Sequence, residues 1–293
     1  MSDSRDARFR DAVAAIDAGA LDTVLSMLAQ HPELAQERLA SPGAWLRDSV
    51  GGALDGFFER PYLLWFVAED PVRNGTLPGN IAAIAQAIID AARGHGAETL
   101  QVQLDYALRL VSWSWIARQC GVQLALIDVL VDAGASPDGN PNNALVNGNF
   151  EAAAHLVARG APLTLAAALC LDRWEEADAL LATSSSPRKQ FALTLAALRG
   201  RAEAVRRLLR AGTDPNAPCP DLYPHATPLH HAVSSGSLET VKVLVEAGAD
   251  LTTPDTAFHG TPLGWALHAR SDEQPRRDTG AGFQSIVDYL RSR

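Results

Sequence analysis

The sequence predicts an all-α fold, a solenoid of about eight helix-turn-helix units that are joined by short loop and β-turn fingers. Two observations predict it. Apolar residues recur at three- and four-residue steps in segments too short to form stable isolated helices, so each segment must bury its face against a neighbour. The same order of helix start, glycine and aliphatic run then returns along much of the 293-residue chain, which indicates an internal repeat.

The best-preserved unit is TPLHHAVSSGSLETVKVLVEAGAD, from Thr227 to Asp250. Thr227 provides a capping side chain and Pro228 a first-turn residue, and together they favour a helix start. Gly236 ends this short helix, a second amphipathic segment follows, and Gly248 ends that one. The stretch therefore predicts two short helices that pack as a pair.

This unit resembles the ankyrin repeat, whose signature T-P-L-H-x-A returns at a period of about 33 residues. Here the motif reads T-P-L-H-H-A, and the next copy starts at Thr261. Earlier copies keep the helices but lose the T-P start, as in FALTLAALRGRAEAVRRLLRAG and in PLTLAAALCLDRWEEADALLA, where Asp172 replaces a glycine. The resemblance is to bacterial-type ankyrin-repeat proteins with degenerate N-terminal repeats, and it is clearest over 191–270.

We expect one continuous solenoid, with degenerate helical repeats over 1–120 and clearer ankyrin repeats over 121–293. In the first stretch, helices are predicted over Tyr62–Glu69 and Asn80–Arg93, separated by a long inserted loop near 69–79. The segment LDYALRLVSWSWIARQCG is expected to form one long first helix. A polar insertion, SDEQPRRDTGAGFQ, interrupts the last unit.

Composition narrows the function classes. A net charge of −9 argues against a nucleic-acid-binding surface or a surface for acidic membranes. The three cysteines lack C-x-x-C spacing, which favours a reducing compartment without a structural disulfide. The charged N-terminal segment does not resemble a signal peptide, and no apolar run reaches the length of a membrane span. We therefore expect a soluble, cytoplasmic protein with no nucleic-acid or membrane partner.

The resemblance implies binding along a concave face, formed by the first helices and the loop fingers. Candidate binding residues on or near that face are His231, Trp265, His268, Asn143 and Asn147. The family pattern makes His230 a structural residue that ties neighbouring loops together by hydrogen bonds. A polar and aromatic surface of this kind suits the recognition of a protein partner.

The stretch WFVAEDPVRNG departs most from the repeat. Its aromatic, acidic, cationic and amide side chains are Trp65, Asp70, Arg73 and Asn74. An arginine beside carboxylates can hold an anion or order the loop through an internal pair, so a ligand site and a structural brace both remain open. Trp113 follows in the next predicted helix; since Trp113 and Trp115 cannot share a helical face, one ring is expected in the core and the other in solvent.

The sequence contains no G-x-S-x-G, Gly-rich phosphate loop or H-E-x-x-H motif, so catalytic residues stay unknown and enzymatic activity is not favoured. No metal or cofactor is expected. The leading hypothesis is an ankyrin-repeat binding protein that recognises a protein partner through its concave face. The alternative is a small-molecule-binding or enzymatic site, built from the degenerate N-terminal repeats and the Asp70–Gly75 loop. A purely structural spacer is a third hypothesis.

Overall fold

The computed structural model describes residues 2–271 and 283–293, so most of the polar insertion lies outside the described residues. The structure is 64% helical, and no strand occurs in the part of the chain that it describes, which confirms the all-α class. The chain divides into two compact units, unit 1 (Met1–Pro162) and unit 2 (Leu163–Arg293). The single continuous solenoid stays a prediction.

Unit 1 is built from short helices. Its 3₁₀ helices span Pro32–Ala35, Gly51–Asp55 and Leu63–Ala68. Its α-helices are α1 (Ser2–Asp17), α2 (Leu21–Gln30), α3 (Ala44–Val50), α4 (Ile81–Gly94), α5 (Leu100–Trp113), α6 (Trp115–Gln119), α7 (Gln123–Asp132), α8 (Asn140–Val146) and α9 (Phe150–Ala158).

These elements pack in pairs, as a helix-turn-helix repeat requires. The pairs are α1 with α2, the 3₁₀ helix Leu63–Ala68 with α4, α5 with α7, and α8 with α9. The first members of the pairs also pack against one another in a row, and so do the second members. The 3₁₀ helix thus takes the place of a first helix between α1 and α5, and all of its residues are buried.

The expectation of one long helix over 104–121 is wrong. Ser114 adopts an extended conformation with φ −64° and ψ 110°, which ends α5 at Trp113. Its hydroxyl oxygen accepts a hydrogen bond from the N–H of Ala117 at 3.0 Å and caps α6, because a serine side chain competes with the helical backbone. Trp113 and Trp115 are both half-buried, so the expected division into one core ring and one exposed ring is also wrong.

Unit 2 follows the repeat closely. First helices α10, α12, α14 and α16 pack in a row, each beside its own second helix. The α-helices of this unit are α10 (Leu165–Cys170), α11 (Trp174–Thr183), α12 (Ser186–Leu198), α13 (Ala202–Arg210), α14 (Pro228–Ser234), α15 (Leu238–Glu246), α16 (Pro262–Ser271) and α17 (Phe283–Arg291).

The turn between α10 and α11 shows why the glycine pattern is only partly kept. Gly236, between α14 and α15, has φ 72°, in the left-handed region that favours glycine. Asp172 holds the equivalent position with φ 58°. Aspartate is one of the few other residues that enter this region at low cost, so the turn survives the substitution.

First helices have neighbours on both sides, and their burial reflects this. Every residue of α10 is buried, and in α14 the whole stretch Pro228–Val233 is buried. Burial of this kind raises the pKa of the Cys170 thiol to about 12, and all three cysteines are unpaired. Among the helices of the described residues, none has both the length and the apolar character needed to cross a membrane.

Candidate functional site

The loop that follows the buried 3₁₀ helix of unit 1 is organised around one carboxylate. The side chain of Glu69 is fully buried, and its Oε1 accepts hydrogen bonds from the N–H groups of Arg73 (2.8 Å), Asn74 and Gly75 (2.9 Å). Glu69 itself has a left-handed backbone with φ 50°. A carboxylate that accepts several backbone N–H groups fixes the loop conformation around it.

Arg73 supplies the countercharge inside the molecule. Its Nη1 and Nη2 donate to the two carboxylate oxygens of Asp17 at 2.9 and 2.8 Å. Nη2 also lies 2.9 Å from Glu69 Oε2, as an ion pair without hydrogen-bond geometry. The guanidinium covers the Phe66 ring at 4.9 Å, and only 5% of the side chain is exposed. These contacts are those of a structural brace, and the role of Arg73 in ligand binding stays a prediction.

Trp65 belongs to a different environment from Arg73. Its indole N–H donates to the Gln103 carbonyl oxygen at 3.3 Å, and the residue is buried. Its ring lies 4.4 Å from the Tyr106 ring and 5.3 Å from the Tyr62 ring. The guanidinium of Arg38 lies 5.1 Å from the Trp65 ring. Trp65 is therefore a packing residue of an aromatic core.

Asp70 is the one predicted loop residue with an unusual electrostatic state. Burial, and then the neighbouring Glu69 carboxylate, raise its pKa to about 6. Its carboxylate accepts no hydrogen bond within the part of the chain that the structure describes. Burial also raises the pKa of Tyr106, to which the charge of Asp70 contributes. Asn74 is exposed and takes part in the loop through its backbone N–H.

The remaining predicted residues of unit 1 lie on neighbouring first helices. Trp113, at the end of α5, contacts the Phe57 ring edge-on at 6.3 Å, and Phe57 is itself exposed. Asn143 lies on α8 and Asn147 directly follows it; the side-chain amide of Asn147 donates to the backbone oxygen of Asn143 at 3.2 Å, and Asn147 is exposed. Because α5 packs beside α8, these residues share one layer of unit 1.

In unit 2, His230 makes the loop-tying contacts that the family resemblance implies. Its Nδ1 lies 2.8 Å from Thr227 Oγ1, within the same helix start. Its Nε2 lies 3.0 Å from the carbonyl oxygen of Gly260 in the following loop. A nitrogen that bonds to a carbonyl oxygen must carry the proton, so Nε2 donates to Gly260 and Nδ1 accepts.

The loop before α16 is organised around Asp255. Its carboxylate accepts hydrogen bonds from the N–H groups of Ala257 (2.9 Å), Phe258 (2.6 Å) and Gly260 (2.9 Å), and from the Trp265 indole N–H (2.9 Å). Burial acts to raise the pKa of Asp255, but these hydrogen bonds outweigh it and lower the pKa to about 2. The carboxylate therefore stays ionised and holds the loop.

Four rings meet at this point, and we call them the aromatic loop cluster: Tyr223, His225, Phe258 and Trp265. The ring of His225 lies about centrally, 6.3 Å from Tyr223, 6.0 Å from Phe258 and 6.1 Å from Trp265. The N–H of Thr256 donates to the His225 carbonyl oxygen at 2.8 Å and joins the two loops. Phe258 is 76% exposed and Tyr223 45%, so the outer rings face solvent.

His231 lies against this cluster, and its placement corrects the expectation of an accessible position on the concave face. Only 2% of the residue is exposed, and its ring lies 5.8 Å from Tyr223 and 6.4 Å from Trp265. Its Nε2 has no hydrogen-bond partner among the described residues. Burial, and then the neighbouring histidines, lower its pKa to about 4. His268, on α16, is exposed.

The sequence interpretation missed Tyr223, Phe258 and Asp255. A signal for the first two was present, because an aromatic residue in a polar loop precedes each T-P start, at Thr227 and Thr261. Asp255 gave no such signal. Its role depends on the contact with Trp265, which exists only once the loop is folded.

Comparison with known proteins identifies the repeat. Residues 115–255 match the family model of ankyrin repeats, in three copies. A segment of 57 residues, 20% of this chain, is 42% identical to 7% of the potassium channel GORK of Arabidopsis thaliana. A segment of 83 residues, 28% of this chain, is 40% identical to 5% of the inactive serine/threonine-protein kinase TEX14 of Mus musculus. The chain thus spans a small fraction of the length of the curated relatives it matches.

Proposed function

For a chain that belongs to the ankyrin-repeat family, we propose binding of a protein partner through the aromatic loop cluster of unit 2 and the adjoining first-helix face. Ankyrin repeats generally serve as protein-interaction modules. His268 on α16 would extend the contact along that face, beside Trp265.

The observation that carries the proposal is the exposure of two large rings on loops that are held in place. Phe258 and Tyr223 face solvent on either side of His225, although burial of such rings is strongly favourable. The loops beneath them are fixed by Asp255 and His230. Rigid exposed aromatic residues lose little conformational entropy on binding, and such residues often dominate the energy of an interface.

The other predicted residues take roles that follow from their burial. His231 would support the cluster from below instead of touching the partner. Trp65 and Arg73 would hold the core and the loop of unit 1. Trp113, Asn143 and Asn147, which stay candidate binding residues, would form a second contact area in unit 1.

Affinity capture with the immobilised full chain tests the proposal. Proteins retained from a lysate of the source organism would be quantified by mass spectrometry for wild type and for a Tyr223→Ala, Phe258→Ala double variant. A matched control is Leu25→Ala, since Leu25 is an exposed apolar residue of unit 1 with 46% exposure. Circular dichroism and thermal unfolding would confirm that all three proteins are folded.

We expect a partner that wild type and Leu25→Ala retain equally and that the double variant retains at least about 30-fold less, because an aromatic residue that anchors an interface contributes more than about 1 kcal/mol. Retention of the same proteins in the same amounts by the double variant would refute the assignment to the cluster.

Small-molecule binding in unit 1 is a second candidate function, and one observation favours it. The carboxylate of Asp70 is half-buried and accepts no hydrogen bond from the described residues, while Arg109 is exposed above the Tyr106 ring. A ligand with N–H donors could satisfy Asp70 and pack on that ring. Thermal stabilisation by amines or amides, measured for wild type and Asp70→Asn, tests it: the wild type should be stabilised and the variant should not.

A further inference from the structure

Building on the proposed function, we infer that the partner segment recognised by the aromatic loop cluster is basic and carries one apolar anchor side chain. The inference depends on the charge of the two loops that hold the cluster. The loop residues 211–226 and 247–260 contain four aspartates and no lysine or arginine. With four carboxylates and no lysine or arginine, the two loops carry a formal charge of −4 when His225 and His259 are neutral.

Three of the aspartates, Asp214, Asp221 and Asp250, are exposed, whereas Asp255 is buried. The exposed three belong to one continuous surface, because the two loops are tied to each other at both ends. At one end, the side-chain amide of Asn216 donates to the Gly248 carbonyl oxygen at 3.1 Å, and its oxygen accepts the N–H of Asp250 at 2.8 Å. At the other end, the N–H of Thr256 donates to the His225 carbonyl oxygen at 2.8 Å. The three exposed carboxylates and the exposed rings are therefore presented together.

Two of the loop carboxylates, those of Asp250 and Asp255, are held in the ionised form by hydrogen bonds. Hydrogen bonds from Thr253 and Thr252 lower the pKa of Asp250 to about 2, as the loop and indole hydrogen bonds do for Asp255. Asp214 and Asp221 are exposed, and Asp221 lies two positions before Tyr223. Neither loop contains a lysine or arginine that could neutralise these groups. A partner with phosphate groups or with acidic side chains would be repelled, whereas a basic one would be attracted.

The rings add a requirement for an apolar contact. Phe258 and Tyr223 present exposed aromatic rings next to His225, and an apolar side chain of the partner can pack against them. Arginine on the partner would suit both features, since a guanidinium pairs with carboxylates and also stacks on aromatic rings. The chemistry of the loops thus fits a short basic segment with an aliphatic or aromatic residue among its arginines or lysines.

Selection from a phage-displayed library of random peptides on the immobilised full chain tests this composition directly. Selected peptides would be synthesised and their Kd measured by fluorescence anisotropy at low and at high salt. The variants are the Tyr223→Ala, Phe258→Ala double variant, which removes the rings, and Asp214→Asn and Asp221→Asn, which remove charge. Asp138→Asn, in an exposed loop of unit 1, is the matched control for charge.

We expect enrichment of basic peptides with one apolar residue. Their binding should weaken with salt, and it should weaken by about 1.5- to 5-fold for Asp214→Asn and for Asp221→Asn, as for exposed ion pairs. Asp138→Asn should bind like wild type. Enriched peptides that are acidic or uncharged, but that still depend on Phe258 and Tyr223, would overturn the inference and leave the proposed function standing. A selection that yields no peptide dependent on those rings would overturn both.

Discussion

The loop after Glu69 in unit 1 and the loop around Asp255 in unit 2 are each held by one carboxylate, but the two carboxylates have different partners. In unit 1, the Glu69 carboxylate accepts N–H groups of the loop that follows it, and in unit 2 the Asp255 carboxylate does the same. Glu69 is accompanied by a buried cation, Arg73, which Asp17 also binds. Within the described residues, Asp255 has no such cation, and it accepts hydrogen bonds from neutral donors, among them the Trp265 indole.

This difference explains what each loop presents to solvent. The buried charges of unit 1 must be paired inside the molecule, because an unpaired charge away from water is costly. Arg73 is therefore drawn inward, and the rings around Trp65 pack in the core. The neutral hydrogen bonds of unit 2 make no comparable demand, and Phe258 stays outside. A loop braced by neutral donors can thus keep its large side chains available for a partner.

The largest expected effect comes from the cation of unit 1. Arg73→Ala should lower the free energy of unfolding by about 3–5 kcal/mol, because it leaves the buried Glu69 and the Asp17 carboxylates without their countercharge. Urea denaturation followed by circular dichroism measures the loss. Arg10→Ala, at an exposed position of the same unit, serves as control and should change stability by less than about 0.5 kcal/mol. Equal stabilities for the two variants would show that Arg73 is not the brace.

Asp70 in unit 1 and His231 in unit 2 should change the unfolding free energy in opposite directions as pH rises. Asp70 should lower it. Its pKa is raised from 3.8 to about 6 in the folded protein. Between these values the folded state holds a proton that the unfolded chain has released, so the Asp70 contribution to stability falls as pH rises through the window. Asp70→Asn should therefore be more stable than wild type by about 2–3 kcal/mol at pH 7 and no different below pH 4. Unfolding free energies measured across this range test the prediction. A stability difference between Asp70→Asn and wild type that did not grow with pH would contradict it.

His231 sets the opposite direction for unit 2. Its pKa is lowered from 6.5 to about 4, so its contribution to stability is fully present above pH 6.5 and is lost as pH falls toward 4. The loss should be on the order of 2–3 kcal/mol. His231→Gln should flatten the pH dependence of the unfolding free energy in this window, whatever its effect on stability at pH 7. If the unfolding free energy of the variant keeps the same pH dependence as wild type, His231 is not the source of that dependence.

The smallest expected effect is on stability, and it comes from the difference in packing around one glycine in each loop. A Cβ added at Gly260 would lie 2.9 Å from Trp265 Cδ1 and 3.3 Å from Asp255 Oδ2, whereas nothing lies within 4 Å of one added at Gly79. Gly260→Ala should therefore lower the unfolding free energy by about 1–3 kcal/mol. Gly79→Ala, the matched glycine of the unit 1 loop, should stay within about 0.5 kcal/mol of wild type. Thermal unfolding of both variants measures this difference. Similar losses of stability would mean that the Trp265 ring shifts to make room for the added Cβ.

The sequence by itself determined the repeating unit and much of the secondary structure. Thr227 and Pro228 start a helix and Gly236 ends one through interactions of residues that are close in sequence, so a local pattern is sufficient to recognise them. The resemblance based on that pattern gave the all-α class and the role of His230. Even the degenerate copy with Asp172 kept its turn, because aspartate satisfies the same local requirement.

Only the tertiary structure decided which side chains are available to a partner. Arg73 has a charged partner 56 residues away in Asp17, and no spacing rule connects the two. His231 and Phe258 both lie near T-P starts. His231 is buried because it packs near Tyr223 and Trp265, whereas Phe258 stays exposed to solvent. The repeat is set by local backbone preferences, whereas burial and ion pairing depend on which neighbouring elements pack on each side of a residue.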